Sequence, residues 1–371
     1  MTCSRRQFLS ACCSSALVLG ASPLLVSCSA GRPAPRSPPP LDRLDPATAR
    51  ILWYAALAPS GHNSQPWEVT LISPTHWRIG IPPERRLPAV DPHGRETLIS
   101  LGAFVENLAQ AAATQGLAAE VQVMRDDPLC RDIIDLHLVS GPVALPDCLE
   151  RMQRRRVVKK GHRPQRLSAG DTLWLEKLWP GQLYYLARGS AEASRLSEGT
   201  VTSMAEQCQR EEAMREFAQW VRFGRESRDT HRDGLTTAGM EIDGIAGWFV
   251  DHLYRAEDVL KPSFLKQTMD VTARLAGEGA GWLVLCSPGT TPAELIGAGR
   301  EFQRMFLSLR ERNIACHPMS QMFEEKAGRD ELSALFGAGQ IPQMLLRVGY
   351  RDSYPDPVSL RRPPHWFVTE N

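Results

Sequence analysis

From Asp45 onward, apolar and polar positions alternate between helical and extended periodicity. Asp45-Pro46 pairs a capping carboxylate with a proline at the first helical position, and Ile51, Leu52, Ala55 and Leu57 follow as an apolar stripe. Trp67 to Ile72 and Trp77 to Ile81 predict two strands around the Ser73-Pro74 turn. Leu98 to Gly116, rich in Ala and Leu, predicts a helix, and Val121 to Met124 and Ile133 to Val139 predict two further strands. The stretch from about 195 to 275 reads mostly as amphipathic helix with many charges and aromatics. Trp220, Trp248 and Trp282 are expected to pack in the core. Trp282 to Cys286 predicts a short buried strand, Gly299 to Arg312 a helix, and Gln343 to Val348 another strand. The fold class is therefore α+β.

A weak internal repeat runs at an offset of 197 residues: Gly102 through Leu117 aligns with Gly299 through Ile314. Each copy is a glycine, a long helix with apolar faces, and a closing small or polar residue beside an apolar one. Any two amphipathic helices share such spacing, so the repeat by itself leaves chance and duplication open.

The first thirty residues form a targeting segment outside the fold. Ser4-Arg5-Arg6-Gln7-Phe8-Leu9 resembles a twin-arginine export signal, and Leu25-Val26-Ser27-Cys28 resembles a lipobox whose cleavage leaves Cys28 as a lipid-bearing first residue. Gly31 to Pro40, with five prolines, predicts a stiff extended spacer. The expected organisation is a signal over 1–30, a linker over 31–44, a first half over 45–145, and a second half over 146–371 carrying a helical insertion over 195–275. The expected location is the periplasmic face or cell envelope, with a lipid anchor holding the chain to a membrane.

Composition narrows the classes. The 371 residues allow two domains, and 43% hydrophobic content is enough to bury a sizeable core. Forty-three Lys and Arg against 42 Asp and Glu exclude a general polyanion binder. The mature region has no apolar run long enough to span a bilayer. Five cysteines outside the signal, Cys130, Cys148, Cys208, Cys286 and Cys316, show no metal-type spacing and are expected as buried free thiols, with one disulfide left open. The basic run from Arg151 to Arg166 lacks interleaved aromatics, which argues against single-stranded nucleic acid as partner.

The most informative stretch is Ala58-Pro59-Ser60-Gly61-His62-Asn63-Ser64-Gln65-Pro66-Trp67, a small-residue loop between a helix and a strand. Its amides, hydroxyl and carboxamide suit the hydrogen-bonding edge of a planar polar ring. The loop resembles the APSxxNxQPW signature of the nitroreductase superfamily, which lies against flavin mononucleotide. Arg155-Arg156-Val157-Val158-Lys159 resembles the superfamily's phosphate clamp, with Val157 where a hydroxyl is usual. The clamp comes after the loop in the chain, and no second such loop follows residue 160. The two half-sites thus fall on different halves of one chain, as in the single-chain, Acg-like subgroup. Asp91-Pro92-His93-Gly94-Arg95-Glu96 and Arg232-Asp233-Gly234-Leu235 also resemble that subgroup.

The resemblance implies a nitroreductase-like fold, an intrachain pseudo-dimer of two fused halves, a lid-like helical insertion and a monomer with a single flavin mononucleotide site. It assigns Pro59, Ser60 and Asn63 to the flavin ring and ribityl chain, and Arg155 and Lys159 to the phosphate. Met319, Ser320 and Gln321, within His317-Pro318-Met319-Ser320-Gln321, match the segment that faces the flavin N5. Arg361 and Arg362, after the closing Val348-Gly349-Tyr350 strand, match basic residues returning to the phosphate. No side chain is assigned as general acid or base and none as a metal ligand, because hydride transfer is the cofactor's own chemistry. The implied activity is two-electron transfer from NAD(P)H or another small-molecule donor to a nitro, quinone or similar acceptor. The alternative is a protein that binds and shields flavin with little turnover. A third reading is a lipid-anchored interaction protein on an inactive scaffold.

Overall fold

The computed structural model describes residues 44–127, 130–336 and 339–370. The expected targeting segment, the expected lipid-bearing Cys28 and all but the last residue of the expected linker lie outside the described residues. Among the described residues no helix is long and apolar enough to cross a membrane.

The first half opens on helix α1 (Pro46–Ala55), where the Asp45 carboxylate accepts from the amides of Ala47 and Thr48 at 2.9 and 3.1 Å. Strands β1 (Glu68–Ser73) and β2 (His76–Gly80) form the expected hairpin. Helix α2 (Arg95–Ala113) starts three residues before its apolar pattern does. The reason is Asp91, whose carboxylate caps the amides of Glu96 and Thr97 while Gly94 makes a left-handed turn at φ 67°. Strands β3 (Leu117–Val123) and β4 (Asp132–Ser140) complete the local sheet. Its order is β3-β4-β2-β1, and the C-terminal strand β9 (Val368–Glu370) adds to the edge, parallel to β1.

Helices α3 (Asp147–Arg154) and α4 (Ala169–Leu178) lead into the second sheet. It comprises β5 (Leu183–Ala187), β6 (Gly281–Ser287), β7 (Ile314–Pro318) and β8 (Ile341–Tyr350), in the order β5-β6-β8-β7. The insertion supplies α5 (Ala191–Gln209), α6 (Glu211–Gln219), α7 (Arg225–His231), α8 (Gly244–Leu253) and α9 (Pro262–Ala276). Helix α10 (Pro292–Glu311) is capped by Thr291 and Glu294, and the short α11 (Gln321–Glu324) and α12 (Lys326–Phe336) follow β7. Of the three tryptophans expected in the core, Trp220 and Trp282 are buried, but Trp248 is 50% exposed. Helix α8 is covered only on the Gly247 and Asp251 face, and Trp248 stacks instead on His252 beside it.

The two sheets share one core because α2 and α10 cross between them. Gly102 and Gly299 meet at this crossing. A Cβ on Gly102 would fall 2.1 Å from the Ile296 carbonyl, and a Cβ on Gly299 would fall 2.1 Å from the Ile99 carbonyl. The contacts are reciprocal at the same 197-residue offset as the sequence repeat. Next to the glycines, Gln303 Nε2 donates to Asn107 Oδ1 at 2.7 Å, and Glu106 takes Arg300 and Arg304. Gly102→Ala is expected to lose about 3 kcal/mol of stability, because backbone has to move. Gly297→Ala, in the same helix with nothing within 4 Å, is expected to gain about 0.5–1 kcal/mol from helix propensity. Urea denaturation of both variants checks the contrast.

Candidate functional site

Between α1 and β1 the chain makes a tight excursion through the small-residue loop. Three non-glycine residues there adopt left-handed backbone: His62 (φ 47°), Asn63 (φ 51°) and Gln65 (φ 52°). Such conformations cost on the order of 1–3 kcal/mol each and persist only where surroundings hold them. Ser60 Oγ accepts from the Gln65 amide at 3.0 Å, and the Gly61 amide donates to Ser100 Oγ of α2. Asn63 Nδ2 donates to the carbonyls of Gly234 and Leu360 at 3.1 and 3.2 Å. Gln65 Nε2 donates to the Arg232 carbonyl, and its Oε1 accepts from the Arg362 amide at 2.8 Å. The loop is thus fastened by α2, by the insertion and by the C-terminal tail. Pro59, Ser60, Gly61, His62 and Asn63 stay partly accessible, while Ser64 to Trp67 are buried.

Cations from the second half surround this loop. Arg155 is buried, donates Nη2 to the Leu57 carbonyl at 2.8 Å, and lies over the Phe306 ring of α10. Arg361 donates to that same carbonyl at 3.2 Å, to Ala58 O, and to Asn63 Oδ1 at 2.9 Å. Among the described residues neither guanidinium has a carboxylate partner. Burial pushes Arg155 down to about 10, and burial with Arg155 nearby pushes Arg361 to about 9. Lys159 lies close enough to His62 and His317 to depress both imidazoles, and burial lowers the lysine itself in spite of Glu241. His62 is held near 4, mainly by burial. His62 Nδ1, Arg155 Nε and Arg361 Nε are buried without a hydrogen-bond partner. Two unpaired guanidiniums meeting at one carbonyl leave excess positive charge that only a bound anion would balance.

Arg362 has a different setting. Its Nη1 donates to the Gln65 carbonyl and its Nη2 to the Trp366 carbonyl, so it braces the loop against the C-terminal turn.

The segment after β7 brings in the remaining expected residues. Met319 is buried in the core beside Trp282 and Val284, and its amide donates to the Leu345 carbonyl. Ser320 and Gln321 are partly accessible, and Gln321 Oε1 is a buried oxygen without a partner. Ser320 Oγ donates to Glu324 Oε1 at 2.6 Å. From the first half, Glu96 Oε1 comes within 3.0 Å of where a Cβ on Gly61 would sit. Residues of the loop, of α2 and of the β7–α11 segment therefore converge.

Sequence patterns did not assign roles to Glu96, Glu324 or the contacts from the insertion. Glu96 closes the Asp91-Pro92-His93-Gly94-Arg95-Glu96 motif, whereas Glu324 carries no sequence signal. Phe217 of α6 sits edge-on to His62 with ring centroids 5.8 Å apart, and the Gly234 amide donates to the Asn63 carbonyl. The insertion folds directly onto the loop. Cys130, Cys148, Cys208, Cys286 and Cys316 are free thiols, all buried except the half-buried Cys130. A separate convergence of His76, Asp135 and His137 lies on the outward face of the first sheet. Its donors are already used, since Asp135 bonds both imidazoles and has Arg78 at 3.8 Å.

No protein-family model matches the chain. It is 26% identical over 323 residues to the "Putative NAD(P)H nitroreductase Rv3131" of Mycobacterium tuberculosis, spanning 85% of this chain and 88% of the relative. It is 25% identical over 323 residues to the "Putative NAD(P)H nitroreductase acg" of the same species, spanning 83% and 91%. Among solved structures, the FMN-dependent nitroreductase NfnB from Mycobacterium smegmatis in complex with NADPH aligns with 56% of this chain and 90% of its own, at 18% identity and a TM-score of 0.36. The resemblance to Acg-like nitroreductases read from the loop and the clamp is thus borne out along most of the chain.

The depressed histidines predict acid sensitivity. His162 is buried, pushed to about 3 by burial and by Arg347, and bonded to the Val158 carbonyl. His317, also buried, accepts from Arg347 at 3.3 Å and lies well below its ordinary value. Each binds a proton more readily when unfolded, so stability is full above about pH 6.5 and falls as pH drops towards the folded values. Each contributes about 1.4 kcal/mol per pH unit to that slope. Denaturant titrations at pH 7, 6 and 5 are expected to show a shallower acid-side fall in His162→Gln than in the parent.

Proposed function

We propose that the chain is a flavin mononucleotide-dependent, nitroreductase-like oxidoreductase whose one cofactor site is built between two fused halves. The observation that carries this reading is the pair of guanidiniums, buried Arg155 and half-buried Arg361, brought to the loop with no carboxylate beside them. A phosphate dianion is the natural complement to such a pair. Flavin mononucleotide, when bound, supplies two-electron chemistry between a nicotinamide donor and a nitro, quinone or similar acceptor.

The chain's own residues bind and orient. Arg155, Arg361 and Lys159 would hold the phosphate, and Pro59, Ser60 and Asn63 the ring and ribityl chain. Ser320 and Gln321 would line the ring edge, with Met319 anchoring their segment in the core and Arg362 bracing the loop. The reciprocal Gly102–Gly299 crossing supports the pseudo-dimer, and a fused interface favours a monomer. Export by the twin-arginine route and anchoring through a lipid on Cys28 belong to the same proposal and rest on the sequence alone. Cys28→Ser is expected to release the protein from membranes.

One feature favours a second reading, a shielded flavin with little turnover: the insertion packs Phe217, Arg232 and Gly234 against the loop. Long segments folded over a site often act as lids. A visible spectrum of the purified mature domain, taken anaerobically before and after NADPH, separates the two. Bleaching of a bound-flavin band supports turnover. A band that NADPH leaves intact and dithionite bleaches supports shielding, and a colourless protein that cannot be reconstituted overturns both. Arg155→Ala and Arg361→Ala are each expected to weaken flavin mononucleotide binding about 10- to 100-fold, with circular dichroism unchanged.

A further inference from the structure

We infer that His76, Asp135 and His137, on the outward face of the first sheet, form a binding site for one divalent transition-metal ion of the zinc type. The site shares no residue with the loop or its cations, so the inference is independent of the flavin reading.

Strand register brings the three residues together. On β2 the buried Trp77 and Ile79 face the core, which turns His76 and Arg78 outward. On β4 the buried Ile134 and Leu136 do the same for Asp135 and His137. The strands pair antiparallel, with His76 opposite His137 and Arg78 opposite Asp135. The Leu138 amide donates to the Thr75 carbonyl at 2.8 Å and fastens the backbone at the histidine end. The two imidazoles stack with centroids 4.1 Å apart and planes 16° from parallel. Side chains fixed in this way by the sheet lose little further freedom on binding an ion.

The donor atoms already stand near the spacing of a coordination shell. His76 Nε2 lies 2.8 Å from Asp135 Oδ1, and His137 Nε2 lies 3.1 Å from Asp135 Oδ2. One donor atom from each of the three residues fits within a span of 4.8 Å. Zinc holds such ligands at about 2.0–2.2 Å, which puts tetrahedral neighbours about 3.3 Å from one another. Small rotations of the two rings therefore bring all three donors onto one ion.

The carboxylate accepts from both rings, and these bonds preorganise the shell. Hydrogen bonds, from His76 first and also from His137, hold Asp135 below the ordinary carboxylate range, so it is ionised as a ligand must be. Metal on each Nε2 requires that ring's proton to sit on Nδ1, a change of tautomer that loses no proton. The histidine side chains are 27% and 49% exposed, which gives the ion a path in and lets water bond Nδ1. Arg78 opposes a cation, but its Nε is 3.8 Å from Oδ1, beyond hydrogen-bond distance, and its side chain reaches solvent. Glu120, exposed and opposite His137 on β3, adds a compensating negative charge.

The donor set selects the ion. Two imidazoles and a carboxylate suit zinc, copper(II) or nickel, whereas magnesium and calcium take oxygen ligands. Three protein ligands leave the fourth position to water. Bound there, the ion ties β2 to β4 and stabilises the first half by mass action.

The test is calorimetric titration of Zn²⁺ into the untagged, flavin-free mature domain, which contains every described residue. One zinc per chain is expected, with a Kd on the order of 1–10 µM, and Mg²⁺ at the same concentrations should give no binding. His76→Ala and His137→Ala should each weaken zinc by at least the roughly 10- to 100-fold that losing even an outer-shell partner costs. Circular dichroism of both variants should match the parent, because neither ring packs in the core. In histidine ¹⁵N spectra of the parent, zinc should shift the Nε2 resonances of His76 and His137 and leave the exposed His93 and His365 unmoved. No saturable binding by the parent up to about 100 µM zinc overturns the inference. Binding unaltered in both variants, or shifts confined to other histidines, overturns it equally. Failure of the chain to bind flavin overturns the functional reading alone, since the zinc titration is read without flavin.

Discussion

The backbone contact between Gly102 and Gly299 is the constraint on which the rest depends. Side chains at either position would hold α2 and α10 apart, and both helices carry part of the site. Helix α2 holds Gly61 through Ser100 and presents Glu96 at its first turn. Helix α10 places Phe306 beneath Arg155. A wider crossing would draw Arg155 away from the Leu57 carbonyl and the loop from its cations. The buried Asn107–Gln303 bond and the Glu106 pairs with Arg300 and Arg304 fix the helices in rotation, because a slip would leave buried polar groups unpaired.

Around that crossing the charges segregate. Arg155 and Arg361 gather on one side of the loop without carboxylates of their own, while Glu96 reaches Gly61 of the loop from the first turn of α2. Two guanidiniums without carboxylates would destabilise a closed core and suit an anionic ligand. The loop's left-handed residues are held by partners as far away as the C-terminal tail, so the site is stable only in the complete chain.

Much of this was legible in the sequence. Asp45-Pro46 marked the start of α1 because a cap and a first-turn proline have few other uses. The alternation around Ser73-Pro74 gave the hairpin, and the glycine that opens each copy of the repeat marks where the two helices cross. Other elements left little trace. Strand β7 has only five residues, ending in His317-Pro318, and β9 has only three, so neither carries a period long enough to read. The early start of α2 depended on Asp91 reaching forward across a turn. Trp248 was expected inside because it is large and apolar, yet its helix has no layer above it. At the site, the loop and the clamp were legible as motifs. The commitment of Arg362 to carbonyls and the approach of Glu96 to Gly61 depend on tertiary packing, which no local pattern encodes.

Native mass spectrometry of the mature domain with excess flavin mononucleotide tests most directly whether one chain builds one whole site from two halves. The account predicts a monomer carrying one flavin. Flavin held only by a dimer, two flavins on one chain, or none at saturating concentration would contradict it.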